Sequence, residues 1–311
     1  MKILYEGRFT GKRDFVDFTK YGESNGIEGE HIKRTFHRLL QTGLFKSRGC
    51  GMFLQLTVDG VLCAEEMEFF PKLTERQDLV RRVILKEGMI AWEEGGHLGV
   101  VNWREAMRSH DLSDEDYPPN FFHLLERGVV KGAGPACFQL TQLGAIIATR
   151  IKMLETFERR WNDLKALKQC SQQQRGHRLE DLVADLARFD GLTVDTRVRS
   201  SGEENDVVIS DDLHHFLVSC KWEKGKAKSE YLDILRARIA KRPGTVGLLV
   251  SVGGFSSELV REAESNTSLG LVILCGAGDL DQLVSGKQSL KEFICEAHTH
   301  LIRSRTVNPR E

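Results

Sequence analysis

Two segments of this chain repeat one another, and the repeat limits what its N-terminal half can fold into. Residues 38–64 read RLLQTGLFKSRGCGMFLQLTVDGVLCA, and residues 123–148 read HLLERGVVKGAGPACFQLTQLGAIIA. The copies share a leucine pair, a glycine, a lysine and the sequence QLT, in the same order. Because only two copies are visible, they indicate duplicated modules rather than a stacked array of repeats.

Each copy predicts a helix, a glycine stop, two short strands around a Gly-rich turn, and another helix. Apolar residues between positions 32 and 40 fall at helical spacing, and Gly43 suits a left-handed helix C-cap. The threonine of each QLT sequence, Thr57 or Thr141, suits the N-cap of the helix that follows.

This order of elements resembles winged-helix domains, over residues 1–75 and 76–150, and the resemblance implies an α+β N-terminal half. The first copy has the stronger case for touching DNA, because cations on a helix and its wing neutralise phosphates. Its candidate DNA-binding residues are Lys33, Arg34, Arg38, Lys46 and Arg48.

The second copy's helix, NFFHLLERG, has almost no basic residues, so we expect it to pack against another domain or a second subunit. An alternative covers both copies. Basic residues are common on the solvated side of an amphipathic helix, and many winged helices bind a protein partner instead of DNA.

Length and composition allow two or three domains in these 311 residues but do not choose a partner, because a net charge of −1 averages over any local basic surface. Seven cysteines without a CxxC pair predict reduced thiols in a cytoplasmic protein. No apolar run approaches the roughly 20 residues that span a bilayer, so we expect no membrane association. Residues 151–174 alternate charged and apolar positions, which predicts a connecting helix and a domain boundary.

The C-terminal part, residues 175–311, predicts a helix (RLEDLVADLARF) followed by three strands (TVDTRV, NDVVIS and HFLVSCKW). Helices then alternate with the strands VGLLVSV and GLVILCG, and a last helix covers QSLKEFICEAHTHLIRS. The first hairpin should be antiparallel and the later strands parallel, which gives a mixed α/β sheet with helices on both faces. The glycine-containing sequences VGGFSS and CGAGD are interpreted as ordinary turns after strands.

Strand alternation in FLVSCKW places Ser219 and Lys221 on one face and Cys220 on the other. Asp206 opens the neighbouring strand of the hairpin and can lie near the same place, and Glu180 on the preceding helix can complete the cluster. Carboxylate oxygens suit Mg²⁺, and a lysine beside the metal can orient or deprotonate an attacking water. The pattern is therefore typical of phosphodiester hydrolysis.

These features resemble the PD-(D/E)xK restriction-endonuclease-like superfamily, and within it the Mrr-like branch. The residues that carry the resemblance are RGHRLEDLVADLARFDGLTVDTRVRSSGEENDVVI, SCKW and VGLLVSVGGFSSELV. The resemblance implies a DNA endonuclease that uses Mg²⁺ or Mn²⁺, acts in restriction or antiviral defence, and works as a homodimer or higher homo-oligomer. It also implies roles for Glu180 as the acid of the first helix, Asp206 as the metal-binding aspartate, and Lys221 as the motif lysine; Asp206 and Glu180 would hold the metal.

Ser219 departs from this family pattern, because it stands where a glutamate is usual. Three accounts remain open. The site is degenerate, leaving a DNA-binding or regulatory protein on a nuclease scaffold; or the carboxylate has migrated to the next helix, where Glu230 and Asp233 are candidates; or the serine is an inactivating substitution. Taken singly, each site residue also has an ordinary structural interpretation as a turn acid, a strand-end lysine or an exposed helix acid.

A basic run, KWEKGKAK, directly follows the candidate site. Lys224, Lys226 and Lys228 lie where a phosphate backbone would have to pass, and they are candidate DNA-binding residues. The alternative is a solvated loop without a ligand.

Overall fold

The computed structural model describes residues 1–10, 15–48, 51–67, 71–167, 171–200, 203–211, 214–242, 244–265 and 269–304. The chain divides into two compact units, Met1–Lys152 and Met153–Glu311. No helix in the described ranges combines the length and the apolar character that a membrane crossing needs.

The first unit begins with a helical lobe that carries a small sheet. Its elements are α1 (Lys2–Phe9), β1 (Val16–Asp17), α2 (Phe18–Ser24), α3 (Gly29–Gln41), β2 (Phe45–Ser47), β3 (Phe53–Leu56) and α4 (Val58–Glu66). The three strands pair antiparallel in the order β1-β3-β2. A hydrophobic core that includes Tyr5, Phe36 and Leu56 lies between the helices and this sheet.

The same unit continues with a second lobe of the same design. Its elements are α5 (Pro71–Gly95), a 3-10 turn (Gly96–Leu98), β4 (Val101–Asn102), α6 (Trp103–Ser109), α7 (Tyr117–Glu126), β5 (Val130–Gly134), β6 (Cys137–Leu140) and α8 (Gln142–Ala166). The sheet order is β4-β6-β5, which matches β1-β3-β2 strand for strand. A separate core that includes Ile84, Met107 and Phe138 fills this lobe.

The predicted hairpin of each repeat is confirmed down to its caps. Gly43 and Gly128 end their helices with φ of +74° and +68°, the left-handed region in which glycine is unstrained. The Oγ1 atoms of Thr57 and Thr141 donate to the carbonyls of these glycines, at 2.7 and 2.6 Å. Each threonine oxygen also accepts the backbone N–H three residues on, at 3.1 Å, as an N-cap does.

A second glycine is required in each repeat by a close approach of two backbones. A Cβ built at Gly60 would lie 2.0 Å from the carbonyl oxygen of Leu44. At Gly144 it would lie 2.1 Å from the carbonyl oxygen of Val129. Only glycine allows the helix after the hairpin to pass so near the backbone at the start of the hairpin. The two copies therefore share this backbone contact as well as their sequence.

The fold class of the N-terminal half is confirmed as α+β, with helices and small sheets. Its assignment to winged helices, with boundaries at 1–75 and 76–150, stays a prediction. The two lobes are tied together by side chains within the unit: Arg81 donates to both carboxylate oxygens of Glu65, at 2.7 and 3.1 Å.

The second unit contains a five-stranded sheet. After the last turns of α8 come α9 (Gln172–Phe189), β7 (Thr193–Ser200), β8 (Glu203–Ser210), β9 (His215–Lys221), α10 (Ser229–Ala240), β10 (Thr245–Ser251), α11 (Ser257–Ser265), β11 (Val272–Gly276), α12 (Ala277–Val284) and α13 (Leu290–Ser304). The order is β11-β10-β9-β8-β7. Strands β7 to β9 pair antiparallel, and β9 to β11 pair parallel, so the predicted mixed sheet is confirmed.

One helix of the second unit was not predicted. The sequence CGAGD was interpreted as a turn, but Gly276 and the residues after it start α12. The Asp279 carboxylate accepts the N–H of Gly276, at 2.8 Å, and so caps the first turn. The prediction failed because a helix of eight residues leaves too short a stretch for its periodicity to be read.

Part of the predicted connecting segment contributes to the core of the second unit. Phe157, Trp161 and Leu164 of α8 are buried in the cluster that also contains the strands β8 to β11. The Trp161 Nε1 donates to Asp281 of α12, at 2.6 Å. The boundaries 151–174 and 175–311 stay predictions.

Candidate functional site

Strand β9 carries Ser219, Cys220 and Lys221 at its carboxyl end. Ser219 and Cys220 are each 5% exposed, so Cys220 lies in the core and is not available as a nucleophile. Lys221 ends the strand and is half-buried. A small hydroxyl and a lysine therefore occupy neighbouring positions along one face of the sheet.

Helix α10 covers that face. Gly247 of β10 pairs with Leu217, which points to the same face of the sheet as Ser219 and Lys221 because they are two and four residues further along the strand. A Cβ at Gly247 would meet Leu235 and Ile239 of α10, at 3.0 and 2.8 Å. The site thus lies where the edge of this helix meets the carboxyl end of β9.

Asp206 belongs to β8, the antiparallel neighbour of β9. The ladder pairs Val207, the next residue along β8, with Val218, the residue before Ser219. The side chain of Asp206 lies outside the described residues.

Glu180 is on α9, which packs against β7, β8 and β9. The helix starts with a capping box in which Ser171 and Gln174 bond reciprocally. Glu180 is 8% exposed, and its Oε2 lies 3.1 Å from Nδ1 of His177, one turn earlier. It is therefore a shielded carboxylate and not a solvated surface acid.

Lys221 and Glu223 both contact Tyr231, a residue that the sequence did not single out. The Lys221 Nζ lies 5.2 Å from the centre of the Tyr231 ring, a cation–π distance, and the Tyr231 hydroxyl donates to Oε1 of Glu223. This hydrogen bond, together with burial and the nearby Glu230, raises the pKa of Tyr231 to about 12. The signal in the sequence was the spacing Ser219-x-Lys221-x-Glu223, which continues one face.

Glu230 and Asp233, the predicted migrated carboxylates, are both exposed on α10. Glu230 lies in the first turn of that helix, next to Tyr231. Asp233 lies nearly one turn further along.

The lysine loop after β9, residues 222–228, is held against the turn that follows β10. Ala227 and Phe255 form a β-bridge, and Ala227 N–H donates to the Gly254 carbonyl, at 2.9 Å. A Cβ at Gly253 would lie 2.1 Å from the carbonyl oxygen of Gly225, so this approach requires glycine. Lys224, Lys226 and Lys228 are all exposed on the loop.

The basic residues of the first repeat divide into two groups. Lys33, Arg34 and Arg38 are exposed on α3. Lys46 instead is half-buried and pairs with Glu126 of the second lobe, at 2.9 Å. Arg48 is exposed, with its guanidinium 4.9 Å from the centre of the Phe15 ring.

The oxygen donors near β9 fit a hard divalent cation in kind. Glu180 offers a carboxylate and Ser219 a hydroxyl, and Mg²⁺ prefers oxygen ligands. Among the side chains that the structure describes, no three His, Cys, Asp or Glu groups converge as a metal site would require. The side chain of Asp206 is not among them.

Comparison with known families gives a match over the second unit. Residues 171–284 match the Mrr_cat family, described as restriction endonuclease. The matched range begins at the N-cap of α9 and ends at the last residue of α12, so it includes Glu180, Asp206, Ser219 and Lys221. No curated protein gives a significant match to the sequence.

Three solved structures are similar at low scores. MspJI restriction endonuclease in complex with a 27-mer oligonucleotide has 20% identity and a TM-score of 0.29, over 50% of this chain and 36% of that one. Protein VC1899 from Vibrio cholerae has 16% identity and a TM-score of 0.29, over 73% and 52%. Restriction endonuclease FokI has 13% identity and a TM-score of 0.33, over 70% and 46%.

This chain spans about half or less of each of these three proteins, and scores at this level add no argument to the family match. The match itself agrees with the mixed sheet and its flanking helices. The second unit of this chain therefore contains, over residues 171–284, a domain of the Mrr_cat restriction endonuclease family.

Proposed function

We propose that this protein is a DNA endonuclease that needs Mg²⁺ or Mn²⁺, acts in the cytoplasm, and serves restriction or defence against foreign DNA. The observation that carries the proposal is the position of Lys221 within the family match. It ends β9 on the face of Ser219, one strand from Asp206, inside the matched residues 171–284.

Each site residue has a distinct task in this proposal. Glu180 and Asp206 hold the cation, which when bound supplies positive charge to the scissile phosphate. Lys221 orients the attacking water, and the Tyr231 ring fixes where its ammonium group sits. Ser219 contributes a neutral hydroxyl where the family pattern has a carboxylate, so we expect weaker metal binding and slower hydrolysis than in a complete site.

The DNA contacts fall on both units. Lys224, Lys226 and Lys228 extend from a loop that is pinned beside the site, which suits them to bind the phosphates flanking the cleaved bond. In the first unit, the DNA contacts are the basic residues of the first repeat, Lys33, Arg34, Arg38 and Arg48. Lys46 belongs to the same group and also pairs with Glu126.

A homodimer belongs to the proposal, because one site of this type cuts one strand and a duplex has two. The second lobe of the first unit is where a protein partner or a second subunit would bind. Exposed apolar side chains on α7 and α8 support this: they are Phe122, Leu125, Leu143 and Ile146.

A second candidate function is a catalytically silent DNA-binding or sensor protein on a nuclease scaffold. Ser219 favours it, since the buried hydroxyl replaces the charge that normally helps to hold the metal. The two candidates differ only in whether the phosphodiester bond is broken.

The test is cleavage of plasmid and linear duplex DNA with Mg²⁺ or Mn²⁺ by this chain, by Lys221→Ala and by Ser219→Glu. We expect this chain to cut, Ser219→Glu to cut faster, and Lys221→Ala to lose at least about a hundredfold in rate. If neither this chain nor Ser219→Glu cuts any substrate that it binds, the silent scaffold is the correct function.

A further inference from the structure

Tyr231 contacts two residues that extend the face of Ser219. The strand β9 ends at Lys221, and the buried Trp222 packs on the opposite side, with its ring centroid 5.9 Å from that of Trp161. Glu223 therefore returns to the side of Ser219 and Lys221. Its hydrogen bond with Tyr231, whose ring lies under the Lys221 ammonium, confirms that placement.

We propose, on the basis of the nuclease function above, that Glu223 supplies the carboxylate missing at Ser219 and binds the divalent cation, with Tyr231 as its positioning residue. Glu223 differs from Glu230 and Asp233 in this respect. Those two are exposed on α10, while Glu223 is half-buried and anchored by a side chain that also contacts the motif lysine.

The hydrogen bond from Tyr231 suits a metal ligand. A carboxylate has two oxygens, so Oε1 accepts from the tyrosine while Oε2 remains available to a cation. Ligating carboxylates are commonly held in this manner by a neighbouring donor.

The neighbouring loop limits how far Glu223 can move. A Cβ at Gly253 would lie 2.8 Å from the carbonyl oxygen of Glu223 itself, so the turn after β10 lies close against the backbone of this residue. Glu223 is thus fixed from two directions, by its side chain on α10 and by its main chain on that turn. A fixed carboxylate loses little conformational freedom when it binds a cation.

The experiment measures Mn²⁺ binding to the full chain without DNA, by electron paramagnetic resonance and calorimetry, and cleavage of duplex DNA in parallel. The variants are Ser219→Glu, Glu223→Gln, Tyr231→Phe, and Glu223→Gln combined with Ser219→Glu. Glu258→Gln, an exposed carboxylate on α11, is the matched control. Thermal unfolding of each variant verifies that it is folded.

We expect Glu223→Gln to weaken Mn²⁺ binding at least about tenfold, and Tyr231→Phe to weaken it by a smaller factor, since the ring under Lys221 remains. Adding Ser219→Glu should restore binding to Glu223→Gln, and Glu258→Gln should bind as the unaltered chain does. A folded Glu223→Gln with unaltered Mn²⁺ affinity overturns the proposal, as does an unaltered chain that binds no Mn²⁺.

The two proposals fail in different ways. If Ser219→Glu binds Mn²⁺ and cuts DNA while Glu223→Gln changes nothing, the nuclease function stands and the role of Glu223 is wrong. If no variant binds the metal or cuts DNA, both are wrong.

Discussion

Helices α3 and α7 occupy the same place in the two repeats, but their side chains meet different surroundings. Aligned through their leucine pairs, Arg38 of α3 corresponds to His123 of α7. Arg38 is exposed, whereas His123 is wholly buried, and neither of its ring nitrogens has a hydrogen-bond partner among the described residues. The two prolines at the start of α7 correspond to Lys33 and Arg34.

The surroundings explain the difference. Glu126 at the end of α7 accepts from Arg8 and Lys46 of the first lobe, and Asn120 accepts from Arg81, at 3.0 Å. One side of α7 thus packs against other elements of the first unit, while α3 keeps its basic face exposed. A duplicated backbone depends on a few glycines and threonines, which leaves the helix faces free to acquire separate roles.

The largest effect should come from the glycines that both repeats share. We expect Gly60→Ala and Gly144→Ala each to lower the free energy of unfolding by about 3 kcal/mol, because the new Cβ collides with a backbone carbonyl. Urea denaturation measures it, with Gly29→Ala as a control at an open position on α3. A marked difference between the two variants would show that the repeats do not share this constraint.

The buried His123 should make the stability of the protein sensitive to acid. Burial, with Arg81, Arg8 and Arg127 nearby, lowers the pKa of His123 from 6.5 to about 3. Between these pH values the unfolded chain takes up a proton that the folded chain does not. The free energy of unfolding should therefore fall as the pH drops below 6.5, by up to about 1.4 kcal/mol for each pH unit.

The variant His123→Leu tests this prediction, because it should flatten the dependence of stability on pH between 6.5 and 4.5 relative to the unaltered chain. The exposed His37 on α3 provides the control His37→Leu, which should retain the slope. An unchanged slope in His123→Leu would assign the acid sensitivity to other groups.

Charge reversal on α3 should separate the repeats in DNA binding. We expect Arg34→Glu with Arg38→Glu to weaken binding of duplex DNA about tenfold at physiological salt, close to 1.4 kcal/mol, and to reduce its salt dependence. The same charge change on the second lobe, Arg108→Glu with Lys131→Glu, should have little effect. Fluorescence anisotropy titrations measure the affinity. If both double variants lose the same affinity for DNA, the first repeat has no special role in DNA binding.

The smallest effect should be the loss of the threonine caps. Thr57→Val and Thr141→Val each remove a side-chain oxygen that caps a helix and bonds a carbonyl, so each should cost about 1 kcal/mol. Thr35→Val, at an exposed position on α3, is the control and should be close to neutral. If the thermal unfolding midpoints of Thr57→Val and Thr141→Val differ, the two caps contribute unequally to stability.

The sequence predicted what local contacts decide. The hairpins of the repeats follow from glycine and threonine chemistry within about fifteen residues, and the strand directions of the second unit follow from the order of its elements. Ser219 and Lys221 were placed on one face because alternation along a strand needs no knowledge of its neighbours.

Contacts between distant elements were beyond such reasoning. The ion pair between Lys46 and Glu126 was not predicted, because Glu126 lies eighty residues away in the sequence; DNA binding by Lys46 stays a prediction. The hydrogen bond between Glu223 and Tyr231 was not predicted, because it depends on how α10 lies across β9. In each case the partner of a charged side chain lies on another element, and only tertiary packing decides where that element lies.

Helix α8 has a practical consequence for anyone who divides this protein. Its first turns place Ala145 and Ala148 in the core of the second lobe, and its last turns place Phe157 and Trp161 in the core around the five-stranded sheet. A fragment that starts at residue 175 would leave a hole where two large aromatic side chains belong, each worth about 3–5 kcal/mol. An expression fragment of the nuclease unit should therefore start before Phe157, with part of the helix retained as its first structural element.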